Sequence, residues 1–102
     1  MSDAKTVDRR RWAIIYMPKI GALRPMKRWD EIREYLAEKG VEYDFFCADT
    51  AGSVEHKALE YANEGYSTLV VIGGDGALQD ALNGLMASGR AAEMAFGIIP
   101  NG

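Results

Sequence analysis

Short apolar runs alternate along the chain with longer stretches whose apolar positions recur at helical spacing. Residues 12–17, WAIIYM, are a nearly continuous apolar run bounded by Arg11 and Pro18, which predicts a buried strand. A loop follows, with Pro18, Gly21 and Pro25. Residues 26–39, MKRWDEIREYLAEK, set Trp29, Ile32 and Leu36 on one stripe among charges, and Gly40 follows as a helix stop. Residues 41–47, VEYDFFC, begin by alternating and predict a second strand. After the turn ADTAGS, Ser53 is the candidate cap of a second helix. Val54, Ala58, Leu59 and Ala62 form its stripe, Glu55 complements its dipole and Gly65 ends it. Residues 68–72, TLVVI, predict a third strand. A helix over 77–87 carries Leu78, Ala81, Leu82, Leu85 and Met86 on one stripe, and residues 94–99, MAFGII, predict a fourth strand.

The order β-α-β-α-β-α-β implies parallel strands joined by right-handed crossovers. The expected fold class is α/β, a three-layer αβα sandwich with a four-stranded parallel sheet. The first, third and fourth runs lack alternation, so helices should cover both of their faces. Residues 1–11 read as a flexible entry segment, with Arg9-Arg10-Arg11 as solvated charge, and residues 12–102 as the folded domain.

At 102 residues, 48% apolar and 26% charged, the chain has the make-up of one ordinary globular domain. A net charge of -3 gives no basic footprint for nucleic acid. Cys47 is the one cysteine, so no intrachain bridge can form. Its place in YDFFCA suggests a small buried hydrophobe in a reducing compartment. No apolar segment reaches membrane-spanning length, so a cytoplasmic protein with at most peripheral membrane contact is expected. His56, the one histidine, reads as an exposed helix residue without an oriented partner for acid–base work. Tyr16, Tyr35, Tyr43, Tyr61, Tyr66, Trp12 and Trp29 read as core and boundary packing.

The stretch GGDG, residues 73–76, directly follows the most strand-like run. In open α/β sheets ligands bind at the carboxyl ends of strands. Glycines let another group approach the main chain, and a helix starting there aims free N–H groups at the same spot, which suits phosphate. Asp75 adds a carboxylate, which would be repelled by phosphate unless a cation such as Mg²⁺ lay between them. The plainer alternative is that Asp75 caps the third helix and the glycines only make a tight turn. A Walker loop is absent, and the GxGxxG spacing fails because Gln79 stands sixth from Gly74.

GGDGALQDALNGL resembles the Gly-Gly-Asp-Gly-Thr-x-x-Glu-x-x-Asn-Gly-Leu signature of the diacylglycerol kinase catalytic domain, the family of bacterial lipid kinases and the sphingosine and ceramide kinases. AIIYMPKIG resembles that family's first strand and Asn-Pro-x-Ser-Gly loop, and FGIIPNG resembles the strand leading to Pro-x-Gly-Thr-Gly-Asn-Asp. NAD kinases share Gly-Gly-Asp-Gly but lack Asn83-Gly84-Leu85. The resemblance implies a Rossmann-like nucleotide-binding half of the NAD kinase/diacylglycerol kinase fold, binding ATP and Mg²⁺ and serving transfer of the γ-phosphate to a lipid hydroxyl.

It implies that Gly73, Gly74, Asp75, Gly76 and Ala77 surround the phosphates, with Asp75 on the metal. Pro18 and Gly21 would shape the first nucleotide loop, and Gly102 would begin the third; Lys19, in the first loop, could meet a phosphate. Departures are Ala77 for threonine, Asp80 for glutamate, Met17 for asparagine and Ile20 for serine. The family's second, β-rich domain, which supplies the catalytic base, has no counterpart in this sequence. The expectation is therefore an inactive nucleotide-binding portion, prone to dimerise, or else a non-catalytic nucleotide- or partner-binding module.

Overall fold

The computed structural model describes residues 11–18 and 27–100. Strands β1 (Trp12–Tyr16), β2 (Tyr43–Cys47), β3 (Thr68–Gly73) and β4 (Ala95–Pro100) alternate with helices α1 (Lys27–Glu38), α2 (Ala51–Glu64) and α3 (Asp75–Ser88), and one 3-10 turn, Ala91–Glu93, precedes β4. All pairings are parallel and the strand order is β2-β1-β3-β4. The expected α/β sandwich with a four-stranded parallel sheet is what forms.

The two faces of the sheet carry separate cores. On one face Ile14, Tyr16, Val70 and Ile72 meet Trp29 and Leu36 of α1. Trp29 stacks on Phe45 at 4.2 Å between ring centroids. On the other face Ala13, Ile15, Leu69 and Val71 meet Val54, Ala58, Tyr61 and Ala62 of α2 and Ala77, Ala81 and Leu85 of α3. The central strands β1 and β3 are thus covered on both sides, which is why their sequences do not alternate.

Helices α2 and α3 approach closely at Gly84. A Cβ there would collide with the Glu55 carbonyl oxygen and stand 2.9 Å from the Ala58 Cβ. The glycine of the Asn83-Gly84-Leu85 motif therefore serves helix packing. Helix α2 ends as expected at Gly65, left-handed at φ 101°, and Gly40 (φ 71°) follows α1 in the same conformation.

A polar clamp closes the amino ends of the strands. Arg11 donates from Nε to Asp44 Oδ2 at 2.9 Å and from Nη2 to Asp44 Oδ1 at 2.8 Å. The Tyr66 hydroxyl also donates to Asp44. Arg11 holds the Asp44 carboxyl down at about 2, and burial, with the bond to Asp44, pushes the Tyr66 phenol up. Arg90 Nη1 donates to the Ala62 carbonyl near the end of α2.

Several expectations are corrected. Arg11 is a clamp residue and not merely solvated charge; Arg9 and Arg10 lie outside the described residues. The cap of α2 is Thr50, three residues before Ser53. Ser53 instead completes a reciprocal box, its N–H donating to Thr50 Oγ1 at 3.1 Å while its hydroxyl accepts from Thr50 N–H at 3.3 Å. Cys47 is exposed, because it ends a strand at the edge of the sheet. Tyr35 is 56% exposed on the outer face of α1. Strand β4 is an edge strand and only partly covered, not buried on both faces. His56 is exposed as expected, 3.5 Å from Glu60.

Candidate functional site

Chain order reverses between β1 and β3. From β1 the chain moves outward to β2, then returns across β1 to β3 and continues to β4. The carboxyl ends of β1 and β3 therefore flank a topological switch point, where open α/β sheets bind ligands. Met17 and Pro18 leave β1 there, and Gly73, Gly74 and Asp75 leave β3. The two lips are joined by Met17 N–H donating to Ile72 O at 2.8 Å.

The glycines of this turn have different reasons to be glycine. At Gly73 a Cβ would lie 2.9 Å from the Ala77 Cβ and 3.4 Å from the Met17 Cβ, so packing demands its absence. Gly74 has ordinary extended angles, φ -98° and ψ -169°, and a Cβ there would meet nothing within 4 Å. Gly76 likewise has open space and no positive φ. Nothing among the described residues requires glycine at 74 or 76.

Helix α3 begins two residues earlier than its apolar stripe suggests. Gly74 is its N-cap, and no side chain caps it. Asp75 is the first helical residue, so the alternative in which Asp75 is the cap is not what forms. The N–H groups of the first turn, Asp75 to Ala77, have no intrahelical carbonyl to bond. They carry the positive end of the helix dipole, and the exposed Asp75 sits beside it.

Gly73, Gly74 and Asp75 line an open pocket of about 520 Å³, together with Leu78, Ile98 and Pro100. The pocket pairs a polar corner of bare amides and one carboxylate with an apolar wall. In the sequence Leu78 falls on the stripe of the third helix and neither Ile98 nor Pro100 is named for the site, although PNG marks the end of β4 as a strand terminus. Of the other expected site residues, Gly76 is exposed in the first turn of α3, and Ala77 is buried and offers no hydroxyl. Pro18 is half-buried just past β1. Lys19, Ile20, Gly21 and Gly102 lie outside the described residues. Tyr16, the last residue of β1, buries its hydroxyl without a hydrogen-bond partner among the described residues, on the α1 face of the sheet.

Among the described residues no three His, Cys, Asp or Glu side chains gather to hold a metal ion. Asp75 is thus a single carboxylate. That fits a hard cation such as Mg²⁺, which keeps several waters and takes one or two carboxylates plus phosphate oxygens.

Together these features define a doubly wound α/β domain with a glycine-rich turn at its switch point. Within that class the chain belongs to the diacylglycerol kinase catalytic domain family, whose model matches residues 11–102. It is 29% identical over 94 residues to a diacylglycerol kinase of Staphylococcus carnosus, covering 92% of this chain and 30% of that protein. It is 28% identical over 94 residues to the diacylglycerol kinases of Staphylococcus saprophyticus and Staphylococcus aureus, again over 92% of this chain and 30% and 29% of theirs. The chain thus spans less than a third of the length of these relatives. No helix among the described residues is long and apolar enough to cross a membrane.

Proposed function

We propose that this chain is the ATP-binding portion of a lipid kinase, with its phosphate site at the Gly73–Ala77 turn. The observation that carries this reading is the bare start of α3. Among the described residues, Gly74 and Gly76 satisfy no internal need and no side chain caps the helix, and the turn opens into the pocket. An incoming polyphosphate would accept from the first-turn amides, which a side chain at 74 or 76 would crowd. Asp75 would hold Mg²⁺ against the phosphate oxygens, and bound Mg²⁺ would neutralise charge on the transferred phosphoryl group. Pro18, Lys19, Gly21 and Gly102 would complete the nucleotide loops by resemblance to the family.

The similarity to diacylglycerol kinases supports a lipid hydroxyl, such as that of diacylglycerol, as acceptor of the γ-phosphate. A cytoplasmic location with peripheral membrane contact accords with that substrate and with a single, unbridged cysteine. Residues 12–102 would then form the nucleotide-binding part, and by themselves they would not transfer phosphate. The second reading, a nucleotide- or partner-binding module without catalysis, is favoured by the buried Ala77, which offers no hydroxyl to phosphate.

Titration of the ¹⁵N-labelled chain with ATP and Mg²⁺ tests the site. Amide shifts should concentrate at Gly73 to Ala77, and Asp75→Ala should weaken binding about tenfold, the cost of ~1.4 kcal/mol. Saturating ATP that leaves those amides unmoved would end the proposal. Incubation with γ-³²P-ATP and diacylglycerol vesicles separates the rest: label in the lipid would overturn the expectation of inactivity.

A further inference from the structure

Tyr16 carries the one buried side-chain polar atom that lacks a hydrogen-bond partner among the described residues. The side chain is fully buried, and a phenol taken from water without a partner costs stability that nothing returns. Burial first, then the charges of Cys47 and Asp30, push the phenol up. At neutral pH it is therefore an intact O–H, a donor without an acceptor. Asp30 does not serve, because its exposed carboxylate accepts from Arg33 at 3.3 Å.

The neighbour across the sheet is Cys47. Strands β1 and β2 pair with Tyr16 opposite Cys47, and adjacent strands lie about 4.8 Å apart. Both side chains rise from one face. Tyr16 belongs to the core beneath α1, as do Tyr43 and Phe45 of β2, and strand alternation puts Cys47 on the same side as those two. Ala48 N–H donates to Tyr16 O at 2.7 Å, which fixes the pairing at this end. The Tyr16 ring stacks on Phe45, 6.2 Å between centroids, and Phe45 stacks on Trp29, so the phenol is packed in place. Cys47 ends an edge strand and is exposed. A buried donor thus stands beside an open thiol.

The hydroxyl lacks an acceptor oxygen, and the thiol beside it is the group that can acquire one. Sulfur itself accepts only weakly. As thiolate, Cys47 attacks the terminal oxygen of a hydroperoxide. The S–O bond forms, the O–O bond breaks, and the leaving alkoxide or hydroxide takes a proton from water. Sulfur loses two electrons and the peroxide gains them. The sulfenic acid so formed carries an oxygen one bond beyond Sγ, small enough to meet the Tyr16 O–H without opening the core.

We propose that Cys47 is a site of reversible oxidation to sulfenic acid by hydroperoxides, with the Tyr16 hydroxyl donating to the new oxygen. A small thiol reverses the change: it displaces water to give a mixed disulfide, and a second thiol then releases Cys47. The inference uses neither the phosphate site nor ATP, so its test stands apart from that of the kinase reading.

The 102-residue chain treated with stoichiometric hydrogen peroxide and then dimedone should gain a dimedone group on Cys47, read by mass spectrometry. In Tyr16→Phe the thiol keeps its exposure, so iodoacetamide should label Cys47 at the parental rate and the circular dichroism should match. Its sulfenic acid, trapped after a fixed delay, should fall about fivefold in yield, the effect of one hydrogen bond, with sulfinic acid in its place. The parent chain gives a second reading that needs no substitution: peroxide should move the Tyr16 ¹³Cζ resonance, and dithiothreitol should return it. Absence of the dimedone adduct overturns the proposal. So does a Tyr16→Phe yield equal to the parent's, or a Tyr16 resonance that stays put while Cys47 is oxidised, since the hydroxyl then plays no part.

Discussion

The two ends of the sheet are built in opposite ways. At the amino ends side chains bind one another: Arg11, Asp44 and Tyr66 form a clamp, and Arg90 covers a carbonyl near the end of α2. At the carboxyl ends side chains are withheld. Glycine stands at 73, 74 and 76, the first turn of α3 has no cap, and the surface opens into a pocket. The difference teaches where binding capacity resides: one end spends its polar groups on itself, and the other leaves them free for something else.

Substitutions should separate the scaffold from the open end. The largest effect is expected between the ends, at the α2–α3 crossing. Gly84→Val should cost about 3 kcal/mol or prevent folding, because the new side chain meets backbone rather than a movable side-chain tip; thermal denaturation checks this.

Next comes the clamp. Asp44→Ala leaves Arg11 and Tyr66 without their shared acceptor. The Asp44 side chain is 38% exposed, so solvent screening should hold the loss to about 1–2 kcal/mol. Binding at the far end should be unaffected, and a tenfold loss of ATP affinity would break the comparison. The same pair predicts an acid limb. The Asp44 carboxyl is held down from 3.8 to about 2. Its contribution is therefore complete above the unfolded value and is lost as pH falls toward the folded one. Urea midpoints measured between pH 5 and 2 should show this decline, flattened in Asp44→Asn.

The smallest stability change and the most instructive should come from Gly74→Asn. A side chain fits there, and capping should stabilise α3 by a few tenths of a kcal/mol. Yet it would occupy the amides proposed to hold phosphate. A more stable protein that binds ATP less well is the expected outcome; unchanged affinity would show that the bare cap serves no ligand.

Much of the fold was legible in the sequence, because two central strands buried on both faces leave unbroken apolar runs and Gly65 marks a helix end. What misled was punctuation. Gly74-Asp75-Gly76 reads as turn, yet α3 already starts at Asp75, since helix starts tolerate residues that its middle would not. Thr50 and Ser53 are both good caps three residues apart, and their reciprocal bonding uses both. The apolar run of β4 resembles a covered strand, and nothing local distinguishes a strand at the sheet edge from one in its middle. The clamp joins residues 22 and 33 positions apart, beyond the reach of any short motif. At the site, the glycines were legible as a group. Which of them serve packing and which serve none became visible only once a Cβ could be placed at each.

Gly73 is pressed between Met17 and Ala77. The end of β1 and the first turn of α3 therefore leave no room for a side chain between them. A guest at this mouth meets walls that are already set, so little of its binding energy is lost to arranging them. Selectivity among guests must then come from their shape and charge, not from a rearrangement of the mouth.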